Sequence, residues 1–302
     1  MIMKRFFIPA LISLVTAVSA WSQTNADFTR TEDVIYGRKF GTALTLDVIQ
    51  PAKPNGIGIF WMISGAFKSA HENINPAAYR PLLERGYTVF AVVHGAQPKF
   101  TIHEIEQDIH RAVRFVRHNA ARYSVDPNQL GITGSSAGGH LALTIGTQGA
   151  PGDPKAQDAV DRESSVVQCV ACFYPPTDFL NWSKAGDDGV GNGATVRDQA
   201  AFGPLSYSAA DRQILGREIS PIYFVTSNLP PTLVMHGDAD KTVPLYQAKI
   251  FEQRCRDAHA SFQLIIKPGA DHGWPGMDAD VRTFADWFDE HLRGLKPQAA
   301  AK

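Results

Sequence analysis

The residues Gly134-Ser135-Ser136-Ala137-Gly138 form a G-x-S-x-G pattern with Ser136 at its centre. The apolar run from Gln129 to Thr133 before it has strand length, and Gly139-His-Leu-Ala-Leu-Thr-Ile145 after it reads as the opening of a helix. A serine on a strand-to-helix turn is pushed out on a strained backbone, and its neighbours must be small because strand and helix close on each other there. The chemistry open to such a hydroxyl is attack on an acyl carbon. A serine is a poor nucleophile by itself, so it needs a neutral histidine as base, held in turn by a carboxylate. With this motif the acid is expected after the serine at a strand end, and the histidine after the acid.

Two later stretches offer those groups. His236-Gly-Asp238-Ala-Asp240-Lys-Thr-Val-Pro244 follows an apolar run from Pro231, and Gly269-Ala-Asp271-His272-Gly273-Trp274 follows the run from Phe262 to Ile266. His272 lies among small residues where its ring could reach Ser136. Three carboxylates compete for the acid. Asp271 is the neighbour of His272, and adjacent side chains in an extended loop tend to point apart. Asp238 is close to the strand end, where it is suited to bracing a turn through backbone N–H groups. Asp240 lies further into the loop, where a carboxylate could reach the His272 loop.

The elements that must position these residues alternate in kind. Glu32 to Tyr36 and Thr42 to Ile49 read as an antiparallel hairpin. Gly56 to Ile63 and Tyr87 to Val93 are continuous apolar runs, suited to parallel strands covered on both faces. Asn75-Pro76 opens a helix that ends near Arg85-Gly86, and Ile102, Ile105, Ile109, Val113 and Val116 predict an amphipathic helix over 101–123. A strand is expected over 166–173, with helices over 243–259 and 278–292. Strands alternating with helices imply a mostly parallel sheet with helices on both faces. The segment from Pro175 to Asn228 breaks the rhythm. It is rich in Gly, Asp, Ser and Asn with scattered aromatic residues, and reads either as a functional, lid-like insertion or as a surface excursion. Trp182, Phe202 and Tyr207 within it, with Phe67 and Trp274, are candidates for the wall of a substrate pocket.

A chain of 302 residues can form one large α/β domain, and a net charge of -1 gives no reason to expect nucleic acid or an anionic membrane surface as partner. Three cysteines are too few for a disulfide scaffold. Cys169 and Cys172 form a C-x-x-C, but in a strand they face opposite sides, which speaks against a redox or metal pair. Cys255 reads as a lone helix residue. Met1-Ile-Met-Lys4-Arg5, the apolar stretch from Phe6 to Val18 and the small residues Val18-Ser19-Ala20 before Trp21 predict a signal peptide over residues 1–20. Such a leader implies export to the periplasm or medium, with no membrane anchor after cleavage. The catalytic domain is then expected over 21–296, with a disordered tail over 297–302.

Asp126-Pro-Asn128 with Gly131-Ile-Thr-Gly-Ser-Ser-Ala-Gly-Gly-His140, His236 to Pro244, and Asp271-His-Gly-Trp274 together resemble the α/β-hydrolases. Within that superfamily the chain resembles the bacterial esterase branch with feruloyl- and acetylxylan-esterase-like members, over about residues 32 to 293. The resemblance implies an α/β-hydrolase fold with the 175–228 segment inserted before the acid-bearing strand. It assigns Ser136 as nucleophile, Asp240 as orienting acid and His272 as base. The family's oxyanion loop reads His-Gly-Gly-Gly-Trp, whereas here the aligned residues are Ile63-Ser64-Gly65-Ala66-Phe67. Such a hole is built from backbone N–H groups, so Ala137 is expected to donate together with Gly65 or Ala66. The resemblance and the leader together imply an exported ester hydrolase working through an acyl-enzyme. Its expected substrates are small esters or glycans carrying acetyl or feruloyl groups, with no metal and no organic cofactor. The oligomeric state stays open. Competing readings are an exported serine peptidase of the same fold, an acyltransferase, and a catalytically weak binding protein.

Overall fold

The computed structural model describes residues 27–190 and 199–295, together with the backbone of Ser22–Asn25. The expected signal peptide and tail lie outside the described residues. Nine strands form one sheet: β1 (Ser22–Asn25), β2 (Phe28–Lys39), β3 (Thr42–Pro51), β4 (Gly58–Ile63), β5 (Thr88–Val93), β6 (Leu130–Ser135), β7 (Cys169–Phe173), β8 (Thr232–Gly237) and β9 (Phe262–Lys267), in the order β1-β2-β3-β5-β4-β6-β7-β8-β9. The first three strands and the β3–β5 pair are antiparallel, and from β5 onward every pairing is parallel. The helices are α1 (Arg80–Leu83), α2 (Ile102–His118), α3 (Ala137–Gln148), α4 (Gln199–Phe202), α5 (Ala209–Glu218), α6 (Tyr246–Asp257) and α7 (Met277–Arg293).

The continuous apolar strands are explained by burial on two sides. Along β4, Phe60 and Met62 enter the core with α2, α3 and α6, while Ile59 and Ile63 enter a second core with α1 and α7. Strand β7 divides in the same way, with Val170 and Cys172 on the first side and Cys169, Ala171 and Phe173 on the second. The two cysteines of the C-x-x-C therefore lie on opposite faces, and all three cysteines are free and buried.

Several boundaries differ from expectation for local reasons. Helix α2 starts as its pattern requires, since Thr101 and Glu104 form a reciprocal capping box. It stops at His118, and a 3-10 turn over Ala120–Tyr123 follows. The helix expected from Asn75 is a 3-10 turn (Pro76–Tyr79) followed by the short α1, because Pro81 lacks the N–H that a continuous ladder needs there, whereas Pro76 at the first position costs none. Helix α6 begins at Tyr246 rather than Val243, after a turn in which Asp240 accepts from the N–H groups of Thr242 and Val243.

The described parts of the insertion do more than decorate the surface. Phe179, Leu180, Trp182, Val190, Phe202, Leu215 and Ile219 are buried in the first core. Its opening turn is held by Gln247 of α6. The Gln247 Oε1 accepts from the N–H groups of Thr177 and Asp178, and its Nε2 donates to the carbonyls of Asp178, Asn181 and Trp182.

Candidate active site

The loops at the carboxyl ends of β4, β6, β7, β8 and β9 lie side by side, as expected where a parallel sheet presents a site. Ser136 sits between β6 and α3 with φ 54° and ψ −121°, a conformation that L-residues avoid unless their surroundings enforce it. Here the surroundings do. A Cβ on Gly134 would come within 2.5 Å of the Gly138 backbone, and one on Gly138 within 2.7 Å of the Met62 carbonyl. The Ser136 N–H donates to the Phe173 carbonyl, which ties the turn to the neighbouring strand.

His272 Nε2 is 2.9 Å from Ser136 Oγ, and His272 Nδ1 is 2.8 Å from Asp240 Oδ2. Asp240 thus meets the imidazole, and its other oxygen accepts from the N–H groups of Thr242 (2.8 Å) and Val243 (2.9 Å). The buried His236 donates through Nε2 to the Val243 carbonyl and lies 3.4 Å from Asp240 Oδ2. Burial alone would push the Asp240 carboxyl up, but the hydrogen bonds from His236, His272 and the Val243 N–H outweigh it and hold the group well below the usual carboxylate range. Asp240 is therefore an anion at neutral pH.

The two other carboxylates hold the loops together. Asp238 accepts from the Gly269 N–H at 2.6 Å. Asp271 accepts from the N–H groups of Lys241 (3.0 Å) and His272 (2.8 Å), and these bonds lower its pKa. Each thus links the β8 loop to the β9 loop through backbone. Together the groups can do what a serine–histidine–carboxylate relay does: take a proton from the hydroxyl as it attacks an acyl carbon, and return it to the leaving group.

The BD-FAE family model matches residues 46–255. The chain belongs to the BD-FAE family. Among curated relatives it is similar to Esterase LipQ of Mycobacterium tuberculosis, at 30% identity over 74% of this chain and 50% of that one. It is also similar to the probable carboxylic ester hydrolase LipM of the same organism, at 26% identity over 76% of this chain and 52% of that one. The chain thus spans about half the length of the curated relatives it matches. Among solved structures, a truncated carbohydrate esterase from gut microbiota superposes with a TM-score of 0.76 at 26% identity, covering 90% of this chain and 100% of the other. The fold is that of the α/β-hydrolases.

In this BD-FAE chain the loop expected to border the oxyanion has a different geometry from the one the sequence suggested. Gly65 and Lys68 pair as a two-residue hairpin turn, and the Gly65 N–H donates to the Lys68 carbonyl at 3.0 Å. Gly65 is thereby removed as an expected donor, because its hydrogen is already spent. The central residues Ala66 and Phe67 have φ of 51° and 57°, as the I′ type of turn requires. Among the described residues, neither of their N–H groups takes a protein acceptor, nor does that of Ala137 at the first position of α3. The Gly138 N–H donates to the Ser64 carbonyl at 3.3 Å, fastening the elbow to this loop.

The expected pocket residues are corrected in part. Phe67 and Phe202 are 2% exposed and Trp182 is 8% exposed. Their rings pack inward: Phe67 meets His140 and Phe179, and Phe179 stacks on Trp182 and meets Phe202 edge-on. These three build the core beneath the site and are not an open wall. Tyr207 is exposed, and Trp274 packs against Phe173 and Tyr174 while its Nε1 donates to Asp280. Sequence reasoning missed Tyr174, whose ring centroid lies 4.4 Å from that of His272, at φ 36° just past β7. An aromatic residue directly after the strand beside the elbow was the available signal.

One cluster has metal-ligating residue types. Glu32, Asp47 and His71 bring one ligand atom each within 4.8 Å of one another. Arg30 fills the gap, with Nε donating to Asp47 at 2.7 Å and its guanidinium also meeting Glu32 and His71. A guanidinium already supplies the positive charge there, and a divalent cation does not fit beside it. Among the described residues, no helix is long and apolar enough to cross a membrane.

Proposed function

We propose that this protein is an exported serine carboxylic ester hydrolase that acts through an acyl-enzyme on small or carbohydrate-linked esters, with acetyl and feruloyl groups as the acyl class. The observation that carries the reading is the continuous contact from Ser136 Oγ to His272 (2.9 Å) and on to Asp240 (2.8 Å), with the serine on a strained elbow. Membership of the BD-FAE family and the similarity to esterases support the reaction class, and the likeness to a carbohydrate esterase supports a glycan-linked substrate. The N-terminal Lys4-Arg5, apolar stretch and Val18-Ser19-Ala20 support export.

In this reading Ser136 Oγ attacks the ester carbonyl while His272 Nε2 takes the hydroxyl proton. The carbonyl oxygen becomes an oxyanion, facing the N–H groups of Ala137 and of the Ala66–Phe67 turn. Collapse breaks the bond to the alcohol, which leaves with the proton from His272. Water then attacks the acyl-serine, giving its proton to the same nitrogen, and the carboxylic acid departs as Ser136 is restored. Asp240 keeps the proton of the resting imidazole on Nδ1 and stabilises the imidazolium between the two transfers. Ser136→Ala should lower kcat by about 10⁶ on a p-nitrophenyl ester without changing the melting temperature. An aryl phosphonate should modify Ser136 in the wild type, read by peptide mass spectrometry. Turnover near wild type in Ser136→Ala would defeat the reading.

A further inference from the structure

The Ala66–Phe67 turn replaces a glycine-rich loop with two residues that dislike left-handed backbone, so something must hold it. The peptide unit is planar and trans, and its C=O and N–H point in opposite directions. Fixing a carbonyl therefore aims the next residue's N–H. The Gly65 carbonyl is fixed by the Lys68 N–H at 2.9 Å, which sets the Ala66 N–H. The next two carbonyls are both held by one residue. Gln97 Nε2 donates to the Ala66 carbonyl at 2.6 Å, and the Gln97 N–H donates to the Phe67 carbonyl at 3.1 Å.

Gln97 is 6% exposed and lies just beyond β5, the strand paired to β4 with Ile63 opposite Val93. Its own loop is anchored just before it at two points. The Gly95 N–H donates to Asp108 Oδ2 at 2.9 Å, and Asp108 pairs with Lys39 at 2.6 Å. The His94 N–H donates to Ser69 Oγ, whose hydroxyl donates to the Ile63 carbonyl. A rigid loop thus presses a buried amide against the turn that borders Ser136.

Resting on the ester-hydrolase reading above, we propose that Gln97 is a positioning residue whose side-chain amide holds the Ala66–Phe67 peptide so that its N–H serves the oxyanion. The geometry also explains why direct substitution is a poor test. Proline is confined near φ −65° and cannot enter a turn at +51° or +57° without breaking it. Changing Gln97 removes the brace and leaves every candidate donor in place.

The experiment compares wild type with Gln97→Met, which keeps length but cannot donate, and Gln97→Glu, which keeps shape but sets an oxygen against the Ala66 carbonyl. Three readings are taken on each folded protein: kcat and KM on a p-nitrophenyl ester, inhibition by a trifluoromethyl ketone that forms a tetrahedral adduct, and the melting temperature. Loss of a whole oxyanion donor costs about 10²–10³ in kcat, and misaiming one should cost about 10- to 100-fold, with KM within about threefold. The ketone's inhibition constant should rise by a similar factor in both variants. A variant with wild-type kcat overturns the proposal, and so does a lowered melting temperature with unchanged ketone affinity, which marks a purely structural role. If Gln97→Met does not fold, Gln97→Glu decides by the same criteria. A wild type that turns over no ester sinks the underlying reading and this inference with it, whereas an active wild type beside unchanged variants sinks the inference alone.

Discussion

Asp240→Asn is expected to stop catalysis without unfolding the protein, and the structure says how. One carboxylate oxygen accepts from the Thr242 and Val243 N–H groups, while the other faces His272 Nδ1 at 2.8 Å. An asparagine has one oxygen. Turned toward His272, the amide leaves its NH₂ against two backbone donors, and each unpaired buried donor costs about 1–3 kcal/mol. Turned toward the backbone, it keeps those two bonds and presents NH₂ to His272. The second orientation wins. Facing a donor, the imidazole must offer a lone pair at Nδ1 and carry its proton on Nε2, which points at Ser136 Oγ 2.9 Å away. That tautomer cannot accept the serine proton. The imidazolium also loses its counter-charge. The equivalent change in a serine protease costs about 10⁴ in kcat, or about 5.5 kcal/mol of transition-state stabilisation, and the same size is expected here. The assay is steady-state hydrolysis of a p-nitrophenyl ester, with the melting temperature measured on the same samples. Asp238→Asn and Asp271→Asn are the controls. Each keeps an oxygen for the N–H groups it serves, Gly269 for the first, Lys241 and His272 for the second. Neither should lose more than about tenfold in kcat, the scale of one weakened hydrogen bond. An Asp240→Asn enzyme within tenfold of wild type, or an inactive Asp238→Asn beside it, would refute the assignment of the acid.

Phe202→Ala and Trp182→Ala should each cost about 3–5 kcal/mol of stability, as large core truncations do, with the order of preference across an ester series unchanged. Urea unfolding and the ester series check the two halves, and a stable variant with altered selectivity would return these rings to the substrate pocket. The depressed Asp240 pKa predicts an acid dependence of known sign. Its stabilising contribution is complete above the unfolded value of about 3.9 and is lost as pH falls through the lower folded value. The stability gap between wild type and Asp240→Asn should therefore hold steady from about pH 5 to 8 and shrink only below about pH 4, as urea melts at several pH values will read. A gap that closes between pH 5 and 7 would contradict this. Protein recovered from its native host should begin at Trp21 by mass spectrometry, and mature material retaining Met1 would overturn the export proposal.

What could be read in the sequence was whatever depends on order and local pattern. The strands of the parallel sheet are buried on both faces, so Gly58–Ile63 and Thr88–Val93 stand out as unbroken apolar runs. The elbow is legible because its small residues stand together in five positions, Gly134 being forced by the Gly138 backbone just beyond the serine, although Gly138 is itself forced by Met62 of β4. Asp240 and His272 were within reach because each follows a strand that could be recognised, so chain order stood in for space. The start of α2 was legible at Thr101, where a side chain caps it, while that of α6 was placed too early, in the turn that Asp240 holds through the N–H groups of Thr242 and Val243.

The misreadings share a cause, which is that they depend on contacts between distant segments. Aromatic residues in a Gly- and Asp-rich stretch suggest a lid. Yet Phe179, Trp182 and Phe202 stack into one core, and the buried Gln247 amide fastens the turn that carries them. No local pattern marks Gln247, since its five backbone partners lie 65 to 70 residues away. The loop from Ser64 to Lys68 repeats the lesson. The sequence left Gly65 and Ala66 both open as the second donor. In the folded chain the glycine closes the turn and the harder conformations fall to Ala66 and Phe67. The strain of two left-handed residues is tolerable because Gln97, 31 residues beyond Ala66, satisfies both of their carbonyls. Buried glutamines that hold several backbone groups at once, Gln247 through its side-chain amide and Gln97 through its side chain and its own N–H, give this fold a second set of fixed points beside the apolar core. They hold the Ala66–Phe67 turn and the opening of the insertion, two places where the local sequence leaves the backbone underdetermined.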